Sequence, residues 1–214
     1  MRDLITTRFK FIKSKMTLLN YLIAIFFIAF AFIAPTSFFD ESGPIEVLES
    51  LTLLLASTFC FIEYKKNREF KSFFLTCGFL LLIFVGREIS WGRIFFYNEA
   101  GDIVKRKEWF LGPYIYYILA PFFIAVLVHA YKTKFVQNAI ILLKQAPIMI
   151  FDFILIFAMI ALSTIAEGHH LPASIDQLSI AIEESAEVAM YLATAIIINS
   201  YSRKNLLKGI KDVK

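Results

Sequence analysis

The sequence predicts an all-α membrane protein, a bundle of six transmembrane helices with both termini cytoplasmic. Three observations predict it. Hydrophobic residues make up 58% of the 214 residues and charged residues only 19%, with 24 Phe. Soluble domains hold about a quarter charged residues, and a chain this small cannot bury so much apolar surface in water. Six stretches are each long and apolar enough for the roughly 20 residues that a helical span needs. The basic residues also fall mostly on one set of connecting segments. This composition excludes a disordered chain, a disulfide scaffold and an ordinary cytosolic enzyme.

The first span is read as Met16 to Ala34, ended by Pro35. Its basic lead resembles that of a signal peptide. The apolar run is longer than a signal core, however, and no small-x-small site ends it, so it is expected to be retained. The second span covers Ile45–Tyr64, the third Lys71–Ser90 and the fourth Gly112–Tyr131. The fifth covers Pro147–Ala166 and the sixth Leu178–Ser200. The connections are polar and none is long enough for a soluble domain, so residues 1–214 are read as one transmembrane domain. Phe135–Leu143 reads as a segment lying along the cytoplasmic surface.

Charge sets the expected orientation. The two tails and the loops after the second and fourth spans hold 17 of the 22 Lys and Arg. The positive-inside rule places that side in the cytoplasm. Trp91, Trp109, Tyr114, Tyr116 and Tyr117 gather on the other side, as interfacial aromatic anchors do. Basic residues beside spans suit anionic membrane lipids, and nothing in their spacing supports nucleic acid binding. Cys60 and Cys77 read as buried, inert thiols.

The acids show the opposite bias, with 13 of 18 on the outer side. Glu46, Glu49, Glu88, Glu167, Glu183, Glu184 and Glu187 sit inside spans or within about a turn of their outer ends. Ionisable groups there are costly and usually functional. On a helix, Glu183, Glu187, Tyr191 and Thr194 share about 80° of arc, with Glu184 at its edge. Glu187 lies about 14 Å below the start of its span, too deep to reach water easily. Glu46 and Glu49 form a matching face on the second span, continued by Ser50, Ser57 and Cys60. The third span ends in Gly86-Arg87-Glu88-Ile89-Ser90-Trp91-Gly92-Arg93 and the fifth in Ala166-Glu167-Gly168-His169-His170. Spans two, three, five and six are therefore expected to line a polar chamber open to the outer side.

Glu88 and the Ile89-Ser90-Trp91-Gly92 that follows it resemble a motif of uncharacterised bacterial multi-span inner-membrane proteins. In those proteins an acid often stands where this chain has Arg87, and Gln where it has Arg93. The resemblance covers about eight residues and implies a bacterial cytoplasmic-membrane location and no activity.

Three functions fit the pattern. In the first, an enzyme acts on an outer-leaflet lipid or another substrate. Glu183, Glu187, His169 and His170 would hold a divalent metal ion, and Glu88 or Glu184 would serve as acid or base. Arg87, Arg93 and Tyr191 would hold the substrate, with Glu46, Glu49 and Glu167 in support. In the second, a proton- or cation-coupled transporter uses the same acids, although Glu63 and Asp152 are the only acids in the inner halves of the spans. In the third, a non-catalytic membrane partner or sensor assembles with other spans and another chain fills the polar face, or the acids pair with Arg87, Arg93 or a histidine and only fix helix packing. An open pocket at the acids favours the enzyme, and a close-packed, fully paired cluster favours the partner.

Overall fold

Each of the six apolar stretches is helical. The structure, a computed structural model, describes residues 15–40, 43–68, 70–98, 103–105, 107–145, 149–168, 170–172, 175 and 178–202. The helices are α1 (Lys15–Ala31), α2 (Pro44–Lys66), α3 (Lys71–Glu88), α4 (Ile115–Lys132), α5 (Phe135–Gln145), α6 (Ile150–Glu167) and α7 (Ser179–Ser202). Among the described residues there is no strand, only an isolated bridge between Tyr97 and Ile103.

Three helices, α2, α4 and α6, are long and apolar enough to cross a membrane, and Met16–Ala31 is a shorter apolar helix. α3 and α7 are more polar because they carry Lys71, Arg87 and Glu88, and Glu183, Glu184 and Glu187. Large apolar side chains stay exposed on α1 (Leu22, Ile25), α4 (Ile118, Ile124) and α6 (Ile154, Phe157). Soluble monomers rarely expose so much contiguous apolar surface. The architecture is compatible with a membrane protein.

Local chemistry explains the helix ends. α2 starts at Gly43-Pro44, with proline at the position where its missing N–H costs nothing. Glu46 in its first turn and Lys65 and Lys66 in its last complement the helix dipole. Asn67 then ends α2, and its Oδ1 accepts the Phe70 N–H at 3.2 Å as α3 begins. Lys134, with φ of 54°, turns the chain from α4 into α5. The Phe135 ring of α5 stacks on Phe73 of α3, with centroids 5.1 Å apart.

α7 is the central helix and packs against α1, α2 and α6. Its buried face includes Ala186, Ala189 and Ala193, and such small side chains let helix backbones approach closely. α2 packs on α3 through Ser57, whose hydroxyl donates to the Gly78 carbonyl at 2.9 Å. A β-carbon at Gly78 would stand 3.0 Å from the Phe61 ring, so glycine permits this approach. α1 is tied to α6 by Asp152, which is buried and accepts hydrogen bonds from Thr17 and Asn20. Asp152 looks isolated in the sequence because both donors lie more than 130 residues away.

Trp109 is buried rather than interfacial, with its ring against Phe96 and Phe110. Tyr114, Tyr116 and Tyr117 are exposed, as anchors would be.

Candidate functional site

The site forms where α3 ends. Ser90, Trp91 and Gly92 follow with φ of 45°, 58° and 95°. Three successive left-handed residues stop a helix and reverse the chain, and for Ser and Trp that backbone is strained. The turn is closed by the Gly92 N–H on the Ile89 carbonyl at 2.7 Å. It also lays the Trp91 ring over Gly86, where a β-carbon would collide with three ring carbons. Gly86→Ala is therefore expected to displace Trp91 and destabilise the fold by about 1–3 kcal/mol. Denaturant unfolding reads the loss, and a red-shifted Trp91 emission in a Trp109→Phe background reads the displacement.

The turn fixes the last residues of α3. Glu88 points inward and is buried, whereas the Arg87 side chain is 57% exposed. Across from them on α7, Glu187 and Tyr191 stand one turn apart on the same face. Arg87 Nη2 donates to both Glu187 oxygens at 3.3 Å, and its Nε lies 3.7 Å from Glu88 Oε1. The Tyr191 hydroxyl lies 2.9 Å from Glu88 Oε1 and 3.3 Å from Glu187 Oε2. It has one proton to donate, and the shorter contact to Glu88 has the better claim on it. Ser163 of α6 donates to Glu187 Oε1 at 3.1 Å.

Glu49 of α2 completes the cluster. It is 0% exposed, and neither of its oxygens accepts from an N–H or hydroxyl donor; the group it meets within hydrogen-bond reach is another acid, Glu88. One oxygen each from Glu49, Glu88 and Glu187 lie within 4.8 Å of one another. Three carboxylates thus face one guanidinium in a largely buried space. A buried anion without a donor is costly, so the group calls for a compensating proton or cation.

The four stretches expected to converge do meet here, but only some of the expected side chains take part. Glu49, Glu88, Arg87, Glu187 and Tyr191 converge. Glu184 is half-buried one turn outward of Glu187, and Glu46 and Glu183 are also half-buried. Among the described residues, the one group of His, Cys, Asp or Glu with metal-binding spacing leaves out Glu183, Glu184 and His170. His170 is exposed and folds its ring back over Gly168. His169 lies outside the described residues. Glu167 is exposed. Arg93 is engaged in its own loop, donating to the Val104 carbonyl at 3.1 Å and reaching Ser90 Oγ at 3.4 Å. Where an open chamber is expected, the cluster is buried and Arg87 is its exposed member. Ser163 joins the cluster without having been expected there. The signal for it is its place four residues before Glu167, on the same helix face.

Along the same helices, away from this end, lies an apolar cavity of about 510 Å³ lined by Cys60, Phe74, Leu81, Phe157, Ile160 and Thr194 among others. Thr194 is two turns beyond Glu187, about 10 Å along α7. The volume is in the range of small-molecule sites. Thr194 adds little polarity, because its hydroxyl donates to the Met190 carbonyl of its own helix.

No family model, curated protein or solved structure matches the chain.

Proposed function

We propose that the chain is a six-span protein of the bacterial cytoplasmic membrane, with both termini in the cytoplasm. In this reading the carboxylate cluster lies on the outer side and carries out acid–base chemistry on a lipid. The observation that carries the reading is the pairing of two unlike spaces along one set of helices. One is a charged cluster with an exposed guanidinium, and the other is an apolar cavity about two turns deeper. Together they match an amphiphile with an anionic headgroup and a hydrocarbon chain. The 17 basic residues on the opposite side support the orientation.

Each residue then has a role. Arg87 takes the anionic headgroup on its exposed edge while Glu187 holds the guanidinium in place. Half-buried Glu184 takes a proton from a hydroxyl or water as its oxygen attacks an ester of the headgroup, and gives that proton to the ester oxygen as its bond breaks, while Glu88, oriented by the Tyr191 hydroxyl, lies beneath it. Burial behind Arg87 keeps these groups out of bulk water, where their charges would be screened.

A close-packed, fully paired cluster would favour a non-catalytic partner instead. Glu49 departs from that pattern, because packing alone gives no reason for a buried carboxyl whose contact is another acid and which no N–H or hydroxyl serves.

The test is turnover in liposomes. Purified protein is reconstituted with mixed anionic and zwitterionic lipids, and the lipids are followed by mass spectrometry. The wild type is expected to generate new lipid species, and Glu184→Gln and Arg87→Ala to lose that conversion by about 100-fold or more. Identical lipid profiles with and without wild-type protein would overturn the enzyme reading.

A further inference from the structure

We propose that Glu49, Glu88 and Glu187 together bind one hard divalent cation, of the magnesium, manganese or calcium class, where α2, α3 and α7 meet. The proposal rests on reading this cluster as the functional site, and not on the choice of substrate.

Geometry comes first. Oxygens that share a cation at about 2.1–2.4 Å stand at most about 4.8 Å apart, twice the bond length. The three carboxylates already meet that limit with one oxygen each. Three oxygens spaced evenly about one ion stand at most about 4.2 Å apart, so side-chain rotation of a few tenths of an ångström closes the site.

Glu49 is the second, independent observation. It is fully buried, no N–H or hydroxyl donates to either oxygen, and the side chain it does meet is the Glu88 carboxyl. The other two acids of the group stand beside it and repel it. Buried polar groups in folded proteins nearly always find a complementary partner, so a carboxyl group met only by another carboxyl marks a place for a positive ligand between them.

Charge fixes the valence. With all three carboxylates ionised around a bound ion, one guanidinium leaves two negative charges, which one divalent cation neutralises. Donor chemistry fixes the class. The ligands are all oxygens, with no thiolate or imidazole in the group. Such a set suits hard cations over soft ones. Ser163 and Tyr191 hydrogen-bond Glu187 and Glu88, the supporting role that ligand carboxylates need.

The test uses the full chain, purified in detergent, stripped with a chelator and titrated with Mn²⁺ while free Mn²⁺ is read by electron paramagnetic resonance. The wild type should bind about one ion per chain, consistent with one three-carboxylate site. Glu49→Gln and Glu88→Gln should each weaken binding by at least about ten-fold. Both should keep the wild-type far-ultraviolet circular dichroism. Glu167→Gln, an exposed acid off the cluster, should titrate like the wild type. A wild type that binds none of Mn²⁺, Mg²⁺ or Ca²⁺ overturns the proposal, as do Glu49→Gln and Glu88→Gln variants that bind as tightly as the wild type. Lipid is absent from this measurement. A protein that binds Mn²⁺ but converts no lipid contradicts only the substrate reading. One that converts lipid in chelator without binding a cation contradicts only the cation.

Discussion

Glu187→Ala is expected to destabilise the protein by about 3 kcal/mol. Removing one partner of a buried ion pair typically costs about 3–5 kcal/mol, because the other charge is left uncompensated. Here two groups lose an acceptor at once, Arg87 and Ser163. The low end applies because the Arg87 side chain is 57% exposed and can turn toward water or headgroups. Ser163 has less freedom, since it is buried. Denaturant titration in detergent measures the loss. Glu187→Gln keeps an acceptor oxygen for Ser163 and should lose markedly less stability than Glu187→Ala, while losing cation binding as fully. That split separates the carboxylate's packing role from its charge.

Glu49→Gln has the opposite expected sign in the absence of metal. The substitution keeps the side-chain volume, removes one of three like charges and adds an amide that can donate to Glu88. An unpartnered buried polar group typically costs about 1–3 kcal/mol, and that penalty is relieved. The variant should therefore be more stable than the wild type by about 1–3 kcal/mol in chelator. A residue that costs the fold this much is expected to serve function, since active sites commonly give up stability for activity.

Much of this architecture is legible in the amino-acid sequence. The apolar runs mark all six long helices to within a few residues, because a stretch of about 20 apolar residues has few alternatives to a helix. Pro35 and Pro44 punctuate the first connection for the same local reasons that hold in the fold. The side chains that meet are partly legible too. Helical spacing puts Glu187 and Tyr191 on one face, and the run ending in Glu88 marks the end of the third helix. Helix rotation is the missing piece. Nothing in spacing alone says that Glu49, rather than Glu46, turns fully inward. Depth is missing too, since Ser163 and Glu167 share a face of α6 and spacing does not say that the cluster lies at the level of Ser163. The backbone of Ser90–Gly92 is likewise silent in the sequence, since Ser and Trp rarely adopt positive φ. The Asp152 clasp depends on which helix lies beside α6, and that is a property of the packed whole.

The most direct test of the central claim, that the buried carboxylates exist to hold a ligand, is the unfolding free energy of the wild type and Glu49→Gln measured twice. The first measurement is made in chelator and the second in saturating Mn²⁺. A ligand at 100 times its dissociation constant stabilises the state that binds it by about 2.7 kcal/mol. The order of the two proteins should therefore reverse, with Glu49→Gln the more stable in chelator and the wild type the more stable in Mn²⁺. If Glu49→Gln is the less stable in both conditions, Glu49 is a packing residue and the claim is wrong. If it stays the more stable in both by the same margin, no cation binds there and the claim fails as well.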